Sequence, residues 1–238
     1  MHHLLRRKIT LLVLLFVFCS TASMAQLRDV INQDGHDDKP YHFGINLGYN
    51  KSHFNFTHHP LFLASDTIMD VESINSAGIN LAWLVNLRIS DHFDLRVHPL
   101  DLTFSEKAFL YAEKYTTDSL IEKKVQSITL SFPVQIKFSS DRIDNFRVYT
   151  IAGGKFDYDL ASNAGARKAE DLVKLRPYDF SVELGLGCNI YFPYFVLSPE
   201  IKLSSGLVNL HSRDPSLRYS NVIDKINSKM ITFSLTVE

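Results

Sequence analysis

The chain has 238 residues, with 25 Lys and Arg against 26 Asp and Glu, and it is 45% apolar and 12% aromatic. No basic patch or Lys/Arg-rich tail stands out of that balance, which argues against nucleic acid as a partner. No stretch approaches 18 apolar residues, so no helix is expected to span a membrane.

Residues 1–25 read as a secretory signal peptide. Arg6, Arg7 and Lys8 supply the basic start, Ile9 to Phe18 the apolar run, and Ser23-Met24-Ala25 a small-residue cleavage site. Val17 and Phe18 are too bulky for the lipid-attachment motif that Cys19 would need. Removal of this segment leaves 22 basic and 26 acidic residues, a charge of −4, and a single cysteine, Cys188. No internal disulfide is then possible, and Cys188 reads as a small hydrophobe. Residues 26–40 form a short lead, expected to lie in the periplasm, and 41–238 the single barrel domain.

Eight segments then alternate apolar and polar residues with a period of two. The first sets Tyr41, Phe43, Ile45, Leu47 and Tyr49 against His42, Gly44, Asn46, Gly48 and Asn50. The second carries Ile79, Leu81, Trp83, Val85, Leu87 and Ile89 on its apolar face. In the third, Phe93, Leu95 and Val97 give way to Leu100, Leu102 and Phe104, a phase flip at His98-Pro99 that predicts a bulge. The fourth runs from Ile128 to Phe138. The fifth, Phe146 to Phe156, is irregular because Tyr149 and Ile151 fall on its polar side. The sixth is the most regular: Tyr178, Phe180, Val182, Leu184, Leu186, Cys188, Ile190 and Phe192 share one face, with Asp179, Ser181, Glu183, Gly185, Gly187, Asn189 and Tyr191 on the other. The seventh offers Phe195, Leu197, Ile201 and Leu203, and the eighth Ile231, Phe233, Leu235 and Val237.

Such strands cross a bilayer in about ten tilted residues, greasy outside and polar inside. Their connections alternate: short at Ser90-Asp91, Ser139 to Asp144 and Phe192-Pro193-Tyr194, long at Lys51 to Asn75, Glu106 to Lys123, Asp157 to Arg176 and Gly206 to Asn227. Short periplasmic turns and long outer loops are the habit of outer-membrane barrels. The expected fold is all-β, an eight-stranded antiparallel up-and-down transmembrane β-barrel in the cell outer membrane, with the lipid bilayer as its first partner. A soluble, lipocalin-like barrel is the alternative. It would have to hold the large apolar side chains in a lumen just wide enough for side chains or one small ligand.

On the expected lumen faces lie Arg88, Asp94, Arg96, Lys137, Arg147, Lys155, Glu183, Glu200 and Lys202, of mixed sign and expected to pair. Parity in the hairpin between the sixth and seventh segments makes paired positions sum to 387. Gly185 then faces Lys202, Gly187 faces Glu200, and Glu183 is diagonal to Lys202. Tyr41, Tyr178, Phe192 and Tyr194 are expected as interfacial aromatics. His211-Ser212 near Asp214 is the nearest thing to a nucleophilic pair, but strand neighbours point to opposite faces, and no catalytic residue is assigned. His53, His58 and His59 sit in the first long connection without structural-zinc spacing. Gly153-Gly154 and Gly185-x-Gly187 lie inside strands with no helix following, so they mark curvature or close packing and not a nucleotide loop. No metal or cofactor is assigned.

Several stretches resemble the PorT family of the Bacteroidota. They are Phe43-Gly44-Ile45-Asn46-Leu47-Gly48-Tyr49-Asn50, Asn86-Leu87-Arg88-Ile89 with Phe93-Asp94-Leu95-Arg96 and Pro99, Asn145-Phe146-Arg147-Val148-Tyr149, and Asp159-Leu160-Ala161-Ser162. The most specific runs from Glu183-Leu184-Gly185-Leu186-Gly187 through Tyr191-Phe192-Pro193-Tyr194-Phe195 and Leu197-Ser198-Pro199-Glu200-Ile201-Lys202 to Gly206-Leu207. The chain departs from the family pattern at Cys188 and at its terminal Thr236-Val237-Glu238. The resemblance implies a non-enzymatic outer-membrane barrel of the type IX secretion system, with other secretion-machine proteins as partners. The alternative is a generic small barrel of the OmpA/OmpX sort, acting in envelope stability, adhesion or as a minor porin.

Overall fold

A computed structural model describes residues 31–59, 68–74, 76–113, 120–161, 175–212 and 223–238. The signal peptide with Cys19, Asp214 and parts of all four long connections lie outside these residues. Among the described residues nine strands are present: β1 (Tyr41–His58), β2 (Ile68–Ile74), β3 (Ser76–Arg88), β4 (Phe93–Glu113), β5 (Leu120–Ser139), β6 (Phe146–Asp159), β7 (Tyr178–Tyr191), β8 (Val196–Gly206) and β9 (Ile223–Val237). β2 and β3 pair with successive stretches of β4 and act as one stave, so the closed antiparallel barrel has eight. Every stave pairs with its sequence neighbour and β1 pairs with β9, so the sheet closes into a ring. Closure satisfies the backbone groups that lipid cannot.

The alternating faces point as a membrane requires. Leu186 is 63% exposed and Ile45 62%, while Arg96, Glu200 and Ser198 are almost wholly buried. A wall that is apolar outside and polar inside excludes the lipocalin-like alternative. The bulge falls at the His98-Pro99 flip: Trp83 pairs with Leu100 and Val85 with Val97, so an extra residue of β4 is accommodated. The β7–β8 register sums to 387, from Tyr191 opposite Val196 to Ser181 opposite Gly206. Tyr149 and Ile151 are buried on the inner face of β6.

The strand ends correct the sequence reading. β1 continues to His58, β4 to Glu113, and β5 begins at Leu120, so much of the expected loops 51–75 and 106–123 is ladder. β9 begins four residues before the expected end of the last loop, Asn227. The reason is physical. Outside the hydrocarbon both faces of a strand can be wet, so pairing persists where the hydropathy alternation has stopped. There, five apolar residues, Phe54, Leu175, Leu210, Ile223 and Ile226, turn inward and are buried.

Candidate functional site: the charged lumen and its mouth

Five strands converge on the central charge cluster. Arg96 on β4 is fully buried and binds Glu200 on β8 through Nη1. Its Nε donates to Asn86 Oδ1 at 2.8 Å, and its Nη2 lies 3.7 Å from the Glu238 carboxylate. Tyr149 on β6 donates its hydroxyl to Glu200 at 2.6 Å, and Lys137 on β5 stands 4.3 Å from the centre of the Tyr149 ring. Room for that ring comes from Gly187, its cross-strand partner, where a Cβ would sit 2.5 Å from Tyr149 Cζ.

A second cluster lies one layer away. Lys155 on β6 is 3.3 Å from Asp157 and 3.4 Å from Glu183, and Gln135 donates to Glu183 at 2.6 Å. The register places Glu183 diagonal to Lys202, as the hairpin parity implies, but its ion pair is with Lys155, while Lys202 lies 3.9 Å from Glu200. Gly153 stands opposite Glu183 on the β6 side, so the carboxylate reaches along β6 to the longer Lys155. Ser131 and Ser181 complete the shell of Asp157. Towards the long-loop end, Asp159 accepts from Ser127 at 2.9 Å and Asp179 from Ser228 at 2.6 Å.

Arg88 and Arg147 stand apart from these clusters, at the short-turn mouth. Arg88 pairs with Asp38 at 2.9 Å and Asp91 at 2.7 Å; Arg147 lies 3.5 Å from Asp37 and donates to the carbonyls of Ser140 and Asp91. Asp37 and Asp38 belong to the lead, whose residues Asn32–Pro40 fold as turns across the mouth. Gly35 takes a left-handed φ of 77° there, and His36 N–H donates to the Gln33 carbonyl at 3.0 Å. The lead is held by further bonds: Tyr191 hydroxyl to Asp37 at 2.7 Å, Asn32 to Asn145 Oδ1 at 2.8 Å, and Arg142 to the Asn32 carbonyl. Burial and the neighbouring His42 push the His36 imidazole down to about 4. By sequence alone these residues read as a simple lead. The available signal was the acidic pair Asp37-Asp38 after a glycine turn, set against Arg88 and Arg147 at strand ends.

Of the aromatics, Tyr41 and the turn residues Phe192 and Tyr194 stand at the short-turn end and Tyr178 at the other, all exposed, with Tyr194 at 94%. Phe192 stacks on Phe195 at 4.8 Å. His211 is buried and bridged to Leu175, and its Nδ1 faces the Asp224 carbonyl at 3.4 Å.

Residues 24–212 match the family described as "Outer membrane protein beta-barrel domain". The chain belongs to that family. It is a small outer-membrane β-barrel and sits in the lipid bilayer of the outer membrane, so the short-turn mouth is the periplasmic one by the habit of such barrels. Among solved structures, it is similar to Neisserial surface protein A (11% identity, 84% of this chain and 99% of that one, TM-score 0.41). It is also similar to OprG of Pseudomonas aeruginosa (12% identity, 82% and 92%, TM-score 0.45). The attachment invasion locus protein Ail of Yersinia pestis matches at 11% identity, over 84% of this chain and 98% of that one, with a TM-score of 0.36. No curated protein matches the chain.

Proposed function

We propose that this barrel works through protein contacts and neither conducts nor catalyses, and that it serves a protein secretion machine of the type IX kind. The observation that carries the first half is the lumen: paired charges fill its middle, and the lead lies across its periplasmic mouth. An eight-stranded barrel has in any case no room to pass a protein. Its working surfaces are then the outer wall and the two ends. In a secretion machine it would be an accessory beside the channel, with the Phe192-Pro193-Tyr194 turn and the lead facing the periplasmic apparatus.

The second half rests on the motif resemblance, above all the run Glu183 to Leu207. Family membership by itself favours the broader reading, a small barrel in envelope stability, adhesion or minor porin activity. Deleting the gene separates the two. Under the secretion reading, cargo carrying the system's C-terminal signal accumulates unprocessed in the periplasm while small-solute permeability stays near normal. Normal surface delivery with altered permeability or envelope stability overturns it in favour of the broader reading.

A further inference from the structure

Three side chains meet at the periplasmic mouth: His36 from the lead, His42 from the inner face of β1, and, from the far end of the barrel strands, Glu238 after β9. One nitrogen from each imidazole and one carboxylate oxygen all lie within 4.8 Å of one another. The two rings are 4.3 Å apart, centre to centre, and all three residues are half-buried. With Asp37, Asp91 and Asp94 they border a polar recess.

The bonds around them suit a ligand set. His42 Nε2 donates to the His36 carbonyl at 2.7 Å, which leaves the lone pair on Nδ1. A metal-binding imidazole usually directs its other ring N–H to such a carbonyl. Glu238 Oε1 accepts from Asn86 Nδ2 at 2.6 Å, a bond that orients the carboxylate. The cations bordering the same recess are otherwise engaged: Arg88 with Asp38 and Asp91, Arg147 with Asp37, and Lys137 over Tyr149.

We infer that His36, His42 and Glu238 form a site for a late first-row divalent cation such as zinc, which clamps the lead across the barrel mouth. Two imidazoles and one carboxylate suit such a borderline ion, whereas calcium and magnesium ask for oxygen alone. Ligand atoms about 2 Å from a tetrahedral zinc stand ~3.3 Å from one another. The widest gap here closes by at most roughly 1.5 Å, within reach of side-chain rotation. A water would take the fourth position. Because one ligand comes from the lead and two from the barrel wall, binding the ion and docking the lead are thermodynamically linked.

The test uses protein purified from outer membranes in detergent, stripped with a chelator and titrated with zinc chloride by calorimetry. Cobalt(II) serves as a second probe through its visible d–d bands. One equivalent should bind, with tetrahedral cobalt bands. His36→Ala, His42→Ala and Glu238→Gln should each weaken binding by at least about ten-fold, since even partners outside the ligand set are worth that much. His53→Ala and His59→Ala should leave it unchanged. Zinc should also slow proteolysis of the lead in the parent and not in His36→Ala. His36 lies outside the barrel strands, so that variant keeps the test valid even if the other two fold poorly. Absence of stoichiometric binding, or unchanged binding in His36→Ala, overturns the inference.

Discussion

Glu200 joins Arg96, Tyr149 and Lys202 at the centre of the lumen, which makes its removal a sharp test of how the interior is held. Glu200→Ala takes the ion pair from Arg96, the acceptor from the Tyr149 hydroxyl and the nearest acid from Lys202. Breaking a buried pair on one side costs about 3–5 kcal/mol, because the remaining charge is stranded. Arg96 keeps Asn86 and, at 3.7 Å, Glu238, which puts the expected loss at the low end, about 3 kcal/mol. With a urea slope of about 2 kcal/mol per M, the unfolding midpoint in lipid vesicles falls by ~1.5 M. Arg96→Ala alone is expected to cost as much, since Glu200 is then the stranded charge. The double variant should recover about 2 kcal/mol relative to the sum of the single losses. Additivity within about 0.5 kcal/mol would refute the reasoning and mean that water, not the partner, solvates each charge.

Three further outcomes are expected. Gly187→Ala should destabilise by about 1–3 kcal/mol because its Cβ meets the Tyr149 ring, whereas Gly154→Ala, which has nothing within 4 Å, should be near neutral by the same denaturation assay. Leu186→Arg should cost roughly 2–4 kcal/mol and reduce barrel insertion, read as loss of heat-modifiable migration on gels; a cysteine at Leu186 should react with a lipid-soluble probe and resist a water-soluble one. Asp37→Ala removes the acid shared by Arg142, Arg147 and the Tyr191 hydroxyl, so limited proteolysis should cut residues 32–40 faster while the barrel stays intact.

How much of this could be read from residues alone follows from which forces are local. A bilayer forces period-2 hydropathy on any strand that crosses it, so Tyr178 to Phe192 was enough to reveal a membrane strand, and the alternating loop lengths to orient the barrel. Parity does the same for the β7–β8 hairpin: once Phe192 and Phe195 share a face, Gly187 must oppose Glu200. The flip at His98-Pro99 announced the β4 bulge because an inserted residue exchanges inside for outside. Partner choice among the lumen charges is different, because it depends on how far each side chain reaches across neighbouring staves. Glu183 meets Lys155 and not the diagonal Lys202 for that reason, and no spacing within one strand encodes it. The strands beyond the membrane were invisible for want of alternation, as were the inward Ile223 and Ile226. The lead shows the limit most clearly. Asp37 finds Arg142, Arg147 and Tyr191 more than a hundred residues away only because closure of the barrel carries those strand ends to one mouth. There, charges half removed from water favour an opposite charge, and the nearest one the chain can supply comes from the segment just before its first strand.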